Sequence, residues 1–232
     1  MCGGIVVAQK TKPWTEWSKK DAEKMLNDSA WGQTQTVGGS DTPMAASVIT
    51  PTASNGNAGR DLNRSGESGE VKASKAVNYR VRFLTAKPIR EAVARTVVLS
   101  QTTPNNDLAN QLQGFVDRDF GNFLVLTLSI DSEDTRMGNG VMTALGRLSV
   151  DSLKDKVYLE RKDGKRLSLV DYKAPIADNM GAKFIFERTL DGQPFVTQDA
   201  ENLRVYMELN PKVKVNLKFK VSAMLYSRKL EI

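Results

Sequence analysis

Four cations crowd one short stretch of this chain: Arg161-Lys162 and Lys165-Arg166 stand on either side of Asp163-Gly164. A second basic group, Lys212, Lys214, Lys218 and Lys220, falls opposite the apolar residues of the last long alternating segment. Clustered cations can hold phosphate, anionic lipid or acidic glycans through their summed field. A lysine row can equally guard a sheet edge, because charge there penalises pairing with another chain. The protective, solvated role is the expectation for the lysine row, with anion binding as the alternative for both groups. No aromatic residue shares the lysines' face of the strand to serve for stacking. That disfavours single-stranded nucleic acid, whose bases need rings to stack on.

The acidic residues offer less. Asp131, Glu133 and Asp134 are the densest group, but Asp131-Ser132-Glu133-Asp134 lacks the alternating oxygens of a calcium loop. A solvated loop is expected there. Two carboxylates can hydrolyse a glycoside without histidine if they stand about 5–5.5 Å or about 6.5–9.5 Å apart. The carboxylates of this chain fall mostly in turns or opposite lysines, so a histidine-free hydrolase is an alternative and not the expectation. The chain has no histidine in 232 residues, which excludes imidazole bases, Ser-His-Asp triads, Cys-His dyads and His-ligated zinc. Cys2 is its one cysteine, so neither an internal disulfide nor a cysteine cluster can form. No G-x-S-x-G, Walker loop or G-x-G-x-x-G is present, and Gly138-Asn139-Gly140 lacks the third glycine. Catalytic, cofactor-binding and metal-ligating residues are therefore all assigned as none.

The chain's three tryptophans, Trp14, Trp17 and Trp31, bracket one short helix. Ser18 followed by Asp21 matches a capping box, and Ala22, Met25, Leu26 and Ser29 share a helical face. The tryptophans are expected to pin this helix to the body. The alternative is an aromatic platform for a sugar or a protein.

From Ala76 the pattern is ordered. Tyr79, Val81 and Phe83 alternate with Arg80 and Arg82, as in a half-buried strand. Pro88 suits the first turn of a helix, and Ile89, Ala92, Val93, Thr96 and Val97 follow at helical spacing. Thr103-Pro104 opens a second helix with Leu108, Leu112 and Phe115 inward. Phe123 to Ile130 reads as a buried strand, and Asp131 to Gly140 as a polar loop. Asp163-Gly164 joins two strands as a type I′ hairpin, while Asp191-Gly192 makes a looser turn. Leu203 to Leu209 and Val213 to Val221 alternate, and Leu230 with Ile232 adds a last short strand.

Four segments follow. Residues 1–8 end in the apolar Ile5-Val6-Val7-Ala8, with small residues suited to signal cleavage before Gln9. The expectation is the remnant of a signal peptide; an apolar N-terminal strand and a lipoprotein through Cys2 are weaker readings. Residues 9–32 carry the Trp-rich helix. Residues 33–75, rich in Gly, Ser, Thr and Asn and poor in large apolar residues, read as a flexible linker, with one strand contact at Val48 and Ile49. Residues 76–232 form the main domain. No run of about 18 apolar residues exists, so no transmembrane helix is expected.

The phrase W-T-E-W-S-K-K-D-A-E-K-M-L-N-D-S-A-W, Trp14 to Trp31, resembles the opening of a group of uncharacterised secreted proteins from soil bacteria. The Arg-Glu-Ala helix at Ile89–Arg95 and the stretches Ala182–Arg188 and Lys218–Ile232 resemble other parts of them. The resemblance implies export and an α+β, β-sandwich-like body. It implies no activity and transfers no functional residue.

The fold expected is α+β: an antiparallel β-sandwich, immunoglobulin-like in architecture, with two or three helices at one end or edge. The expected function is a non-catalytic envelope or extracellular binding module. It would be exported to the periplasm, the outer membrane or the medium, with a protein or glycan as partner and no cofactor.

Overall fold

The protein is described by a computed structural model over residues 12–38, 76–102 and 106–232. The expectations for residues 1–8, for Val48 and Ile49, for Thr103-Pro104 and for most of the 33–75 linker lie outside these residues. In chain order the elements are α1 (Lys19–Asn27), β1 (Gly32–Val37), β2 (Val77–Phe83), α2 (Lys87–Ser100), α3 (Asn106–Val116), β3 (Phe123–Ser132), α4 (Thr135–Gly146) and α5 (Val150–Leu153). Then come β4 (Val157–Arg161), β5 (Arg166–Ser168), β6 (Asp171–Lys173), β7 (Ala182–Glu187), β8 (Thr189–Leu190) and β9 (Gln193–Pro194). The chain ends with β10 (Asn202–Asn210), β11 (Val213–Lys220), β12 (Leu225–Tyr226) and β13 (Lys229–Leu230). This is an α+β protein. Among the described residues every strand pairing is antiparallel.

One sheet runs β1-β2-β3-β7-β6 and a second runs β11-β10-β4-β5; β12-β13 and β8-β9 are small hairpins. Alternation sets which side chains face inward. Val81, Phe83, Leu126 and Phe184 of the first sheet, and Leu159, Val205, Val215 and Phe219 of the second, are fully buried in one core. Phe83 and Phe219 meet edge to face at 5.0 Å, tying the sheets together. Burying each such side chain contributes about 1.5–3 kcal/mol. The chain crosses between the sheets after β5, where Val170 N–H donates to the Ile185 carbonyl at 2.9 Å.

Local chemistry explains the helices. Ser18 caps α1: its Oγ accepts from Asp21 N–H at 3.1 Å, while Asp21 accepts from Ser18 N–H at 2.9 Å. Pro88 lies in the first turn of α2, as read from the sequence. That helix has no local side-chain cap; Glu231 near the far end of the chain accepts from Lys87 N–H at 2.8 Å.

Four expectations are corrected. Residues 33–37, read as linker, belong to β1, whose Gln-Thr-Gln-Thr run has no apolar face for periodicity to reveal. Asp131 to Gly140, read as a loop, contains the end of β3 and the first half of α4. Asp134 makes that helix possible despite Gly138 and Gly140: its Oδ1 accepts from the amides of Arg136 and Met137 at 2.9 and 3.3 Å. With α4 and α5 there are five helices among the described residues, and α1 and α2 lie over the outer face of β2 instead of at an edge. The two turns exchange types. At Asp163-Gly164 only Gly164 has positive φ (82°), and the Gly164 amide bonds to the Arg161 carbonyl, giving a type I turn with a glycine bulge. Asp191 (53°) and Gly192 (75°) are both positive, so that tight hairpin is the type I′ turn.

Candidate anion-binding face

The outer face of β5-β4-β10-β11 carries the polar half of four alternating strands. Register sorts it into rows across the sheet. Arg166 pairs opposite Glu160, Glu160 opposite Arg204, and Arg204 opposite Lys218. The next row is Ser168, Tyr158, Tyr206 and Asn216, and a third pairs Glu208 with Lys214. The ladder of charges is bonded as well as aligned. Glu160 accepts from Arg166 Nε at 2.5 Å and from Arg204 Nη1 at 3.1 Å, and Arg204 Nε donates to Asn216 Oδ1 at 2.8 Å. The hydrogen bond from Arg166, with help from Arg204, holds the Glu160 carboxyl below its usual range.

The aromatic row interlocks with the charged one. Tyr158 and Tyr206 stack at 4.9 Å with 21° between rings. The Arg166 guanidinium covers Tyr158 at 4.1 Å, and Arg204 lies 5.3 Å from the centre of the Tyr206 ring. Such cation–π contacts hold a planar cation flat and leave part of it reachable from water. Tyr206 O–H donates to Glu208 at 3.1 Å, and Glu208 also binds Lys214 Nζ at 3.2 Å, which raises the lysine's affinity for its proton.

The basic residues singled out by sequence do not act as one set. Arg161 is committed to Asp163, with Nε 3.2 Å from Oδ1, and its Nη1 donates to the Phe195 carbonyl at 3.1 Å. Lys162 pairs with Glu201 at 2.5 Å. Lys165, Lys212, Lys218 and Lys220 are exposed and make no side-chain ion pair with described residues. Lys218 and Lys220 lie at the end of β11 near the β4–β5 hairpin; Lys212 and Lys214 lie at the other end. An open depression of about 870 Å³ joins Lys162, Gly164 and Arg166 to Arg204, Asn216 and Lys218.

The edge of β11 that carries the lysine row is met by residues of β1. Gln33 Nε2 donates to the Lys218 carbonyl at 3.1 Å, Gln35 Nε2 to the Lys214 carbonyl at 2.7 Å, and Asn216 N–H donates to Gln35 Oε1 at 2.8 Å. Glutamine side chains thus satisfy three backbone groups of that edge, and the exposed lysines lie beside them. Aromatic residues do share this face, although none comes from β11, whose Phe219 is buried in the core. They come from β4 and β10, so Tyr158, Glu160, Arg204, Tyr206 and Asn216 were missed. Alternation within Val157–Arg161 and Leu203–Leu209 assigns them to the polar side, but only the pairing register puts them beside the lysines.

The tryptophans divide. Trp31 is buried, donates from Nε1 to the Glu231 carbonyl at 2.6 Å and meets Tyr226 edge to face at 6.4 Å. It serves as a pin and offers no open platform. Trp14 packs with Ala94, Leu112 and Val116. Trp17, half-buried, shares a groove with Trp31, Leu225 and Tyr226. In the acidic group, Asp131 pairs with Arg80 at 2.6 Å and Asp134 is the cap of α4. Among the described residues no three potential ligands from Asp, Glu, Cys and His lie together, and no helix is long and apolar enough to cross a membrane.

Fold and face together define an α+β protein of antiparallel sheets with a basic, tyrosine-lined outer surface. No protein-family model matches the chain, and no curated protein matches it. Among solved structures it is similar to a protein of unknown function from Burkholderia pseudomallei. The two are 14% identical over 60% of this chain and 72% of that one, with a TM-score of 0.39.

Proposed function

We propose that this protein is a non-catalytic, exported binding module that holds an acidic glycan on the outer face of β5-β4-β10-β11. The observation carrying this reading is the continuous depression from the β4–β5 hairpin to Lys218, in which Arg166, Arg204 and Lys218 present cations from three strands. Such a surface gains affinity from many weak, screened contacts along a polymer. A glycan is favoured over single-stranded nucleic acid because both tyrosine rings are already engaged. Tyr158 meets Arg166 and Tyr206, and Tyr206 meets Tyr158 and Arg204, contacts with which a stacking base would compete. In this reading the two main sheets are the layers of an antiparallel sandwich, immunoglobulin-like in the broad sense. The shared core of Phe83, Leu126, Leu159 and Phe219 supports it. Export rests on the apolar run before Gln9 and on the resemblance of Trp14 to Trp31 to secreted soil-bacterial proteins.

The test is binding to dextran sulfate against neutral dextran at rising salt. Dextran sulfate should bind and should weaken steeply between about 50 and about 200 mM salt. A Lys165→Glu, Lys218→Glu, Lys220→Glu variant should bind about tenfold more weakly or worse at low salt. Equal affinity for both dextrans, or no loss in the variant, would reject the proposal. Tighter binding to an oligodeoxythymidine than to dextran sulfate would reject the glycan.

A further inference from the structure

The other sheet sets two arginines beside its helices, one buried and one partly exposed. Arg80 and Arg82 lie two residues apart on β2, on its outer face, beneath α1 and α2. Arg82 is 8% exposed. Its Nε donates to the Leu26 carbonyl, its Nη1 to Ser129 Oγ and its Nη2 to Asn27 Oδ1, each at 2.9 Å. All three acceptors are uncharged, and no carboxylate of a described residue lies within 4 Å of this guanidinium. The C-terminal carbonyls of α1 offset part of its charge. These bonds account for three donors, two at the end of α1 and one on β3, and they leave a buried cation without a counter-ion among the described residues.

Arg80 adds to the imbalance. Its Nη2 meets Asp131 at 2.6 Å, while its Nε is buried with no hydrogen-bond partner among the described residues. A buried donor left unmade costs about 1–3 kcal/mol, so such groups ask for an explanation. Burial first, and the charge of Arg80 second, lower the affinity of Arg82 for its proton to a pKa of about 10. Both side chains line one chamber of about 430 Å³ between the helices and the sheet. Its other walls mix aliphatic residues, among them Leu84, Ile89 and Val93, with polar ones such as Thr96, Thr127 and Asn179.

We infer that this chamber binds a small organic monocarboxylate, its anionic end against Arg80 and Arg82 and its hydrocarbon end against Leu84, Ile89 and Val93. One negative charge matches the one uncompensated cation, since Asp131 already neutralises Arg80. A dianion fits less well, because Glu23 and Asp178 also border the chamber. Asp178 is itself bound to Lys183 at 2.5 Å, and Glu23 lies 3.9 Å from Lys19. Planar carboxylates suit guanidinium donors, which present N–H groups in a fork.

The probe is hexanoate, with hexanol and inorganic phosphate as comparisons. Binding is read by calorimetry and by the ¹⁵N–¹H signals of the arginine Nε groups. Hexanoate should saturate the chamber and shift the signals of Arg80 and Arg82. Hexanol and phosphate should each bind about tenfold more weakly or worse, the scale set by one charge-assisted hydrogen bond. Thr96→Trp, at the exposed mouth on α2, should block hexanoate without lowering the urea midpoint. Arg80→Met should abolish the preference for hexanoate over hexanol. Absence of saturation, phosphate binding as tightly as hexanoate, or unchanged binding in both variants would each overturn the inference.

Discussion

Arg82 on β2 and Arg204 on β10 hold matching places, each on the outer face of the second strand from a sheet edge. Their surroundings are opposed. Two helices cover Arg82, and its donors are spent on the end of α1 and a serine. No helix of the described residues covers Arg204: its side chain is 37% exposed, leans on Tyr206 and shares Glu160 with Arg166. Burial turns the first arginine into a clamp between layers, whose charge must be met by dipoles or a ligand. Exposure turns the second into part of a charged surface, where ion pairs add little stability and the field remains available to a partner.

The largest test of this contrast removes each guanidinium. Arg82→Met leaves the Leu26 carbonyl, Asn27 and Ser129 without their donor, and should cost about 3 kcal/mol or more in urea unfolding. Arg204→Met should cost less than about 1 kcal/mol while weakening dextran sulfate binding. Equal losses would show that the helix layer does not set the role of the arginine.

A smaller effect comes from two glycines with similar backbone angles. Gly181 (φ 85°) precedes β7 in the helix-covered sheet, and a Cβ there would sit 2.1 Å from the Leu128 carbonyl oxygen. Gly164 (φ 82°) turns the β4–β5 hairpin of the bare sheet, with nothing within 4 Å of such a Cβ. Gly164→Ala should cost about 1 kcal/mol, the penalty of the left-handed backbone alone. Gly181→Ala should cost about 2 kcal/mol or more, because the carbonyl must also move. Thermal or urea unfolding of the pair separates strain from collision.

The two faces were unequally legible in the sequence for the same reason. Alternation in Leu203–Leu209 and Val213–Val221 locates the core side of β10 and β11, and Ser18 with Asp21 locates α1, because these signals are local. The strand β1 escaped notice because its Gln33 and Gln35 work through side-chain amides on another sheet's edge. The helix α4 escaped because Gly138 and Gly140 lower its propensity, while Asp134 and the burial of Leu145 restore it. The basic hairpin was visible as a cluster of letters. Its connection to Tyr158, Tyr206 and Arg204 depends on which residue of β4 pairs with which of β10, and no single segment contains that information. The burial of Arg82 was equally hidden, since an alternating strand with arginines on one face reads as half-exposed.

The smallest effect is a difference in the sign of pH dependence between a covered and an uncovered carboxylate. Glu91, on α2, is 4% exposed and accepts from Tyr226 O–H at 2.7 Å. Burial raises its pKa above the unfolded value and outweighs the hydrogen bond, which acts in the opposite direction. Its contribution is therefore full below the unfolded pKa and is lost as pH rises through the folded one. Glu160, on the bare sheet, is shifted down by its arginines. Its contribution is full above the unfolded pKa and is lost as pH falls through the folded one. Urea midpoints of Glu91→Gln and Glu160→Gln, measured against the parent protein from acid to neutral pH, should diverge in opposite directions. Glu91→Gln should gain on the parent as pH rises, and Glu160→Gln should fall behind it. Parallel curves would mean that the helix layer does not keep water from Glu91, and the physical distinction between the two sides of the molecule would fail at its buried carboxylate.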